Sequence, residues 1–534
     1  MSDNKVKPEK TIMDKKETAI DKSLSMHEKF ANLFLISMFT VFPVYLTDKL
    51  FNVRVDRLHY FIATNLILLF FILATYICGI DKKKWPTKLF KMSVTDWAVS
   101  AFLVVCGIST LLSEYGKDAL TGAQGRDSGL ILMAVYVLCY FLLSRYLKCK
   151  DFVFDIFAIT ACIVCLIAIM HEFYIDPFDL INSIKEDQRE TFISTIGNIN
   201  LFSAFVCVAL PAVVAMLVMS NDFFITIFYS VVTSICFMGL IVANSDSGYF
   251  GLVAFMAVLF VFACKNADRM FKYFLSVFIM LLSCKILNLF SVIFKGDMRE
   301  LDTLPNTLVF DKRMYLFISA AGFLTIIFYL VKSKFGDKAF PRAVQIAAGI
   351  LVGLFAFSIA FVFCYFSFIN TASDLGSLTK YLRLNDQWGT HRGYAWIRSI
   401  ILFKDGGIKN MLVGTGPDTF GPVIKAVYRE DMLKRHGSVF DNAHNEYLNY
   451  LVTIGILGAA AYITALISLA ARCVKRCRNN TKFLIVILVV TSYCAQALFN
   501  LATPIVTPYL FVFLGIGESY IRHNDICISK KDEV

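Results

Sequence analysis

Residues 414–460 read GTGPDTFGPVIKAVYREDMLKRHGSVFDNAHNEYLNYLVTIGILGAA, and within them a polar segment leads directly into an apolar one. Hydrogen-bonding side chains are concentrated between Asp441 and Tyr447, just before an apolar run from Tyr450 to Leu469. Apolar runs of this length cross a bilayer as helices, and polar groups at such a boundary need water or a polar ligand. The segment therefore predicts a membrane helix with a candidate functional site at its start.

The composition is that of a membrane protein. The 534 residues are 57% hydrophobic, 15% aromatic and only 17% charged, and the mean hydropathy is +0.64. This is too much apolar material for one soluble core. The net charge of +11 does not indicate nucleic acid, because the basic residues form short clusters between apolar runs, as the positive-inside rule predicts. We expect contacts with membrane lipids and none with nucleic acid.

Apolar runs of about 20 residues, each long enough to cross a hydrocarbon core, follow one another along the chain. They lie at 31–48, 60–80, 95–114, 128–146, 152–173, 199–220, 222–243, 248–264, 271–294, 314–332, 343–368, 446–471, 483–500 and 504–521. We therefore predict an all-α, polytopic membrane protein of about fourteen transmembrane helices. One large helical outer loop is expected between helices 11 and 12.

The connections between these runs predict the orientation. Lysine-rich and arginine-rich connections, expected in the cytoplasm together with both termini, lie at 81–91, 145–150, 264–272, 332–342 and 472–482. The predicted organisation is a disordered cytoplasmic tail (1–30), a transmembrane bundle (31–368), an extracytoplasmic loop (369–445), C-terminal transmembrane helices (446–522) and a cytoplasmic tail (523–534).

The loop at 369–445 is too long to be a simple connection, and loops of this length are usually functional or disordered. Residues 394–403 and 422–435 have the pattern of short amphipathic helices, with a turn at 414–418 between them. None of the 15 cysteines lies in this loop. We therefore expect a folded segment that keeps its shape by packing on the membrane helices.

His444 is the first candidate for chemistry. Asp441 or Asn442 is expected to cap the following helix, which places His444 in the first turn near the positive end of the helix dipole. That position disfavours imidazolium and leaves a neutral ring that can accept a proton. The alternative is an interfacial histidine in a capping box that does no chemistry.

Five short motifs occur in a fixed order at the expected outer ends of the helices. They are GNIN at 197–200, NSDSG at 244–248, RGYAW at 392–396, GTGPDTF at 414–420 and HNEYL at 444–448. In order and spacing they resemble the superfamily of O-antigen ligases and O-antigen polymerases over about residues 95–515.

The resemblance implies an inverting, metal-independent glycosyltransferase without a cofactor. Such enzymes take a glycan from an undecaprenyl diphosphate carrier on the outer face of the bacterial cytoplasmic membrane. They pass it to a hydroxyl of a polysaccharide, lipid or protein acceptor, and the sequence leaves ligase and polymerase both open. A loop histidine is the expected general base and arginines bind the diphosphate, which points to His444, to Arg392 and, as a second arginine, to Arg126.

The chemistry requires the same residue types on independent grounds. A sugar hydroxyl is a poor nucleophile, and a positioned base contributes about 10²–10⁴-fold to its reaction. The departing diphosphate gains negative charge that arginines or a metal must meet. No DxD pair occurs in the outer connections, so we predict arginine forks and no metal. An ordinary contact with lipid headgroups is the alternative for Arg392 and Arg126.

Four further polar residues are candidate substrate contacts: Asn442, Asn445, Asn198 and Asp246. A helix cap is the structural alternative for Asn198, and an Asx-type turn is the alternative for Asp246.

Two other functional classes remain open. The first is a lipid-linked oligosaccharide flippase or another polytopic transporter, although paired, broken helices in two matched halves are not evident in the sequence. The second is a sensor or scaffold that uses the outer loop for binding.

Overall fold

The computed structural model of the chain describes residues 24–82, 91–295, 297–336, 338–477 and 480–532. Several predicted segments therefore lie wholly or partly outside the described residues: most of the N-terminal tail, most of the basic connection 81–91, parts of 332–342 and 472–482, and the last two residues.

The described residues are overwhelmingly helical, which confirms the all-α class. The helices are α1 (Met26–Thr40), α2 (Val53–Ile77), α3 (Val94–Leu111), α4 (Gly116–Thr121), α5 (Leu130–Tyr146), α6 (Phe152–Glu172), α7 (Ile199–Met219), α8 (Phe223–Val242), α9 (Asp246–Ala263), α10 (Ala267–Ile293), α11 (Thr303–Phe310), α12 (Met314–Phe335), α13 (Arg342–Cys364), α14 (Thr379–Leu382), α15 (Trp388–Asp405), α16 (Gly407–Val413), α17 (Phe420–His436), α18 (Glu446–Thr453), α19 (Gly455–Cys477), α20 (Phe483–Gln496) and α21 (Thr507–Asp532). Between α6 and α7, the strands β1 (Phe192–Ile193) and β2 (Gly197–Asn198) form a small antiparallel hairpin.

A helix lies in each of the predicted apolar segments. Among the described residues, 10 helices are long and apolar enough to cross a membrane, namely α2, α3, α6, α7, α8, α9, α10, α12, α13 and α19. Helices α5 and α20 are apolar but shorter. The membrane class follows from these helices, whereas the number of fourteen crossings stays a prediction.

Helix α7 lies at the centre of the bundle and α13 at its edge. Helix α7 packs against α8 and α20, while α20 also contacts α9, and nearly every α7 side chain after the first turn is buried. In α13 large apolar side chains remain exposed, for example Leu351 at 66% and Phe357 at 68%. An apolar surface of this extent is unfavourable in water and favourable in lipid.

Five helices, α14 to α18, lie between α13 and α19, and three of them, α15, α17 and α18, pack around a small core. The predicted helices at 394–403 and 422–435 are confirmed as parts of α15 and α17. The buried side chains of this core are Tyr394, Phe420, Ile424, Met432, Ala443 and Val452. Because α16 packs on α3 and α19, residues 369–445 form a folded cap on the long helices. The position of this cap outside the membrane stays a prediction.

A sharp break separates α18 from α19, where the sequence predicts one helix over 446–471. Gly455, at the break, has a φ of +65°, and a Cβ there would overlap the backbone of Leu412. Gly414, with a φ of +77°, meets the backbone of Thr453 equally closely. Only glycine allows both this conformation and this approach. The turn that begins the GTGPDTF motif therefore packs against the junction between α18 and α19.

Candidate active site

His444 lies immediately before the cap of α18 and not in its first turn. Asn445 is the cap, because its side chain accepts a hydrogen bond from the N–H of Leu448 at 3.0 Å. The prediction of Asp441 or Asn442 as the cap is therefore wrong. Asn442 instead accepts the N–H of His444 at 2.7 Å, and this Asx turn competes with helix formation. It holds His444 at a φ of +47°.

The His444 ring is half-buried beside charged groups. Burial, together with the guanidinium groups of Arg392 and Arg126, lowers the pKa of His444 to about 4, against the opposing effect of the Asp441 carboxylate. Burial and these two guanidinium groups, and not the expected helix dipole, therefore lower the pKa of His444. Near neutral pH the ring is uncharged and can accept a proton.

Arg392 follows a kink within α15. Residues 389–391 have φ values from +57° to +69°, a conformation that costs non-glycine residues about 1–3 kcal/mol each. At Gly393 a Cβ would overlap the carbonyl oxygen of Asn385, so the backbone is closely packed on both sides of Arg392. This packing fixes the position from which the Arg392 side chain extends.

The half-buried guanidinium of Arg392 has neither a hydrogen-bond partner nor an ion-pair partner among the described residues. Burial lowers its pKa, and the carboxylate of Asp246 partly offsets this effect. A cation that is withdrawn from water without a partner is unfavourable. The surroundings of Arg392 are therefore suited to an anion, and its charge is felt at His444.

Arg126 is engaged by Asp441 in a two-pronged ion pair. Nε of Arg126 donates to Oδ2 of Asp441 at 2.9 Å, and Nη2 donates to Oδ1. Burial raises the pKa of Asp441, but the hydrogen bonds and charge of Arg126 outweigh burial and hold this pKa below its usual value. A carboxylate therefore stays ionised close to His444.

Asp418 holds the loop that carries Arg126. Its Oδ2 accepts the backbone N–H groups of Ala123 and Ser128, each at 2.9 Å. Burial raises the pKa of Asp418 to about 7, although these hydrogen bonds act in the opposite direction. Asp418 was not among the site residues predicted from the sequence, and the available signal was its place in the turn of the GTGPDTF motif.

The comparison with known families bears on this part of the chain. Residues 308–463 match the family model described as O-Antigen ligase. This match supports membership of the O-antigen ligase superfamily. The O-antigen ligase segment contains His444, Arg392 and Asp418, whereas Arg126 lies outside it. No curated protein matches the chain.

The other predicted contact residues differ in whether their side chains already have hydrogen-bond partners. Asn198 caps α7 and Asn445 caps α18, each by accepting a backbone N–H. Asn442 donates to the carboxylate of the preceding residue at 2.8 Å. Asp246 is exposed in the first turn of α9, and its charge reaches Arg392. Of the four, Asp246 has the side chain that is most open to a ligand.

In the described part of the chain, no group of three or more His, Cys, Asp and Glu side chains could hold a metal ion. Two carboxylates of this region are already held, Asp441 by Arg126 and Asp418 by backbone N–H groups. A metal-independent reaction stays a prediction.

Replacement of Asp418 tests whether this carboxylate holds the Arg126 loop. Asp418→Ala leaves two N–H groups without an acceptor, at a cost of about 1–3 kcal/mol each. Asp418→Asn keeps an oxygen that can accept both. We expect thermal unfolding in detergent to show a clear loss of stability in the alanine variant and a small one in the asparagine variant. Equal loss in the two variants would contradict this role.

The same carboxyl group should make stability depend on pH. The pKa of Asp418 is about 7 in the folded protein and about 4 in an unfolded chain. Between these values the folded state holds the additional proton, so this contribution to stability is complete below about pH 4 and is lost as the pH rises to 7. The unfolding temperature should therefore fall from pH 5 to pH 8 by more in the wild type than in Asp418→Asn. An equal fall would argue against a raised pKa.

Proposed function

We propose that the chain is a glycosyltransferase that moves a glycan from an undecaprenyl diphosphate carrier to an acceptor hydroxyl, as a polysaccharide ligase or polymerase. It acts at the outer face of a bacterial cytoplasmic membrane, with both termini in the cytoplasm. One observation carries the proposal: within the O-antigen ligase segment, a neutral His444 ring feels the charge of the Arg392 guanidinium, which has no partner among the described residues. The first can accept a proton from a hydroxyl, and the second can bind a diphosphate.

In the proposed step the acceptor hydroxyl attacks the anomeric carbon of the donor glycan. The new carbon–oxygen bond forms on the face opposite the diphosphate, and the bond from the anomeric carbon to the diphosphate breaks, so the configuration inverts. His444 takes the hydroxyl proton as the bond forms. The charge of the nearby Asp441 carboxylate favours the imidazolium that results.

Arg392 meets the negative charge that grows on the departing diphosphate. A guanidinium donates two parallel N–H bonds to phosphate oxygens, which a lysine ammonium cannot do. Arg126 supports the site by holding Asp441 near His444. A direct contact of Arg126 with the diphosphate remains the prediction from the family resemblance, and it requires Arg126 to share its donors between Asp441 and phosphate.

The test is incubation of the purified protein with undecaprenyl-diphosphate-linked oligosaccharide, with and without EDTA. Lengthening of the glycan on the carrier identifies a polymerase, which uses a second lipid-linked glycan as acceptor. Attachment to an added lipid, polysaccharide or protein acceptor identifies a ligase. A reaction that EDTA abolishes would contradict metal independence. Absence of any new glycosidic bond, together with movement of the donor across vesicle membranes, would indicate a flippase instead.

A further inference from the structure

A second polar region lies at the C-terminal end of α6. Two cavities of about 200 and 400 Å³ occur there, and both are lined by Tyr174, Glu190 and Arg299. The larger cavity falls within the range of about 300–1,000 Å³ that small-ligand pockets occupy. None of these three residues belongs to the site described above.

Glu172 contributes a buried carboxyl group with one unpaired oxygen to the wall of the larger cavity. This last residue of α6 is 1% exposed and lines the cavity wall. Its Oε1 atom has no hydrogen-bond partner among the described residues. Leaving a buried acceptor unpaired costs about 1–3 kcal/mol, and more when it is charged. A ligand that donates a hydrogen bond to Glu172 would remove this cost.

Arg299 supplies the complementary donor. It is 7% exposed, and Nη1 donates to the carbonyl of Phe192 at 2.9 Å. Its Nε lies 3.6 Å from Oε2 of Glu190 and has no hydrogen-bond partner among the described residues. The cavity wall thus holds a buried acceptor on Glu172 and a buried donor on Arg299, both incompletely paired.

Tyr174 adds an aromatic ring to both cavities. It is 55% exposed and has a φ of +56°, a left-handed conformation that is strained for a bulky residue. The ring is exposed at the cavities and is not packed in the core. An exposed aromatic face beside a hydrogen-bond donor and an acceptor is typical of a site for an amphipathic ligand.

The charges decide the class of ligand. Glu190 and Glu300 line the larger cavity against the single cation of Arg299, so a phosphate or another anion is disfavoured. The carboxylates do not converge as a metal site within the described residues. A neutral, hydroxyl-rich molecule fits, because each hydroxyl both donates and accepts.

We propose that these cavities form a saccharide-binding subsite, an inference that rests on the proposed glycosyltransferase function. The position of the cavities supports a link to the site around Arg392. Asn244 lines the larger cavity and lies two residues before Asp246, whose charge reaches Arg392. A glycan that reacts near Arg392 therefore extends past the start of α9 into the cavity. The bound saccharide belongs to the donor or to the acceptor.

The test measures binding to the purified full-length protein in detergent. The probes are undecaprenyl diphosphate bearing the source bacterium's own glycan, undecaprenyl diphosphate without glycan, and the glycan released from the lipid. Glu172→Gln replaces the buried carboxyl group with an amide, which changes its donors and acceptors, and Tyr174→Ala removes an exposed ring without disturbing the core. Asp187→Asn is the matched control, because Asp187 is exposed in the same connection but lines neither cavity.

We expect Glu172→Gln and Tyr174→Ala each to weaken binding of the free glycan at least tenfold, with no change in the control or in binding of the bare lipid. If the glycan-linked lipid is weakened as well, the subsite holds the donor, and if it is not, the subsite holds the acceptor. Unchanged binding of the free glycan in both variants would overturn the subsite, as would a wild type that binds no free glycan and does not prefer the glycan-linked lipid. Failure of the glycosyltransferase proposal is separate, since it would appear as normal transfer by His444→Ala.

Discussion

The variant His444→Ala should transfer glycan about 10²–10⁴-fold more slowly than the wild type, the range that a positioned general base contributes. The reason is that the half-buried, neutral ring of His444 is the proposed base and feels the charge of Arg392. Because this role concerns the proton of the acceptor, binding of the donor lipid should change little. The loss is expected in kcat, measured as new glycosidic bonds per enzyme under donor saturation.

The control for His444→Ala is His59→Ala, which removes an exposed histidine from α2. Both variants should elute as monodisperse protein in detergent and unfold near the wild-type temperature. His444→Ala enzyme that transfers glycan at a rate near that of His59→Ala would eliminate the proposed base.

Arg392→Lys should lower kcat/KM about 10²–10³-fold, similar to the loss of one donor that stabilises a developing negative charge. Lysine keeps the positive charge, so a simple electrostatic contact with lipid headgroups would survive the change. The two parallel hydrogen bonds to a diphosphate would not survive. The measurement is the rate of transfer at a series of donor concentrations.

Arg429→Lys is the matched control for Arg392→Lys. Arg429 lies exposed on α17 of the same cap, and its replacement should leave transfer unchanged. Equal activity of the two lysine variants would show that Arg392 has no specific contact with phosphate and would support the headgroup interpretation.

The sequence predicted the helices well because apolar length alone decides them. A long apolar run in lipid must pair its backbone groups internally, and a helix does this whatever the side chains are. The break between α18 and α19 was missed for the same reason, since Gly455 inside an apolar run looks like an ordinary residue of a membrane helix. The positive φ of Gly455 and the close approach of the Leu412 backbone explain why glycine is needed there.

The site was harder to predict where local hydrogen bonds compete. Asn442 and Asn445 are both good capping residues, and the sequence does not decide which one starts the helix. In the structure Asn445 caps the helix, whereas Asn442 forms an Asx turn. The contact of Asp418 with Ala123 and Ser128 joins segments almost 300 residues apart, and no local pattern predicts such a pairing.

The hydrogen bonds between Asp418 and the loop that carries Arg126 limit how such proteins can be recombined. A chimaera that receives only residues 369–445 from a related protein would combine an Asp418 and a loop that come from different parents. The ion pair of Arg126 with Asp441 crosses the same boundary. A functional hybrid therefore needs residues 122–129 and the cap from the same parent protein.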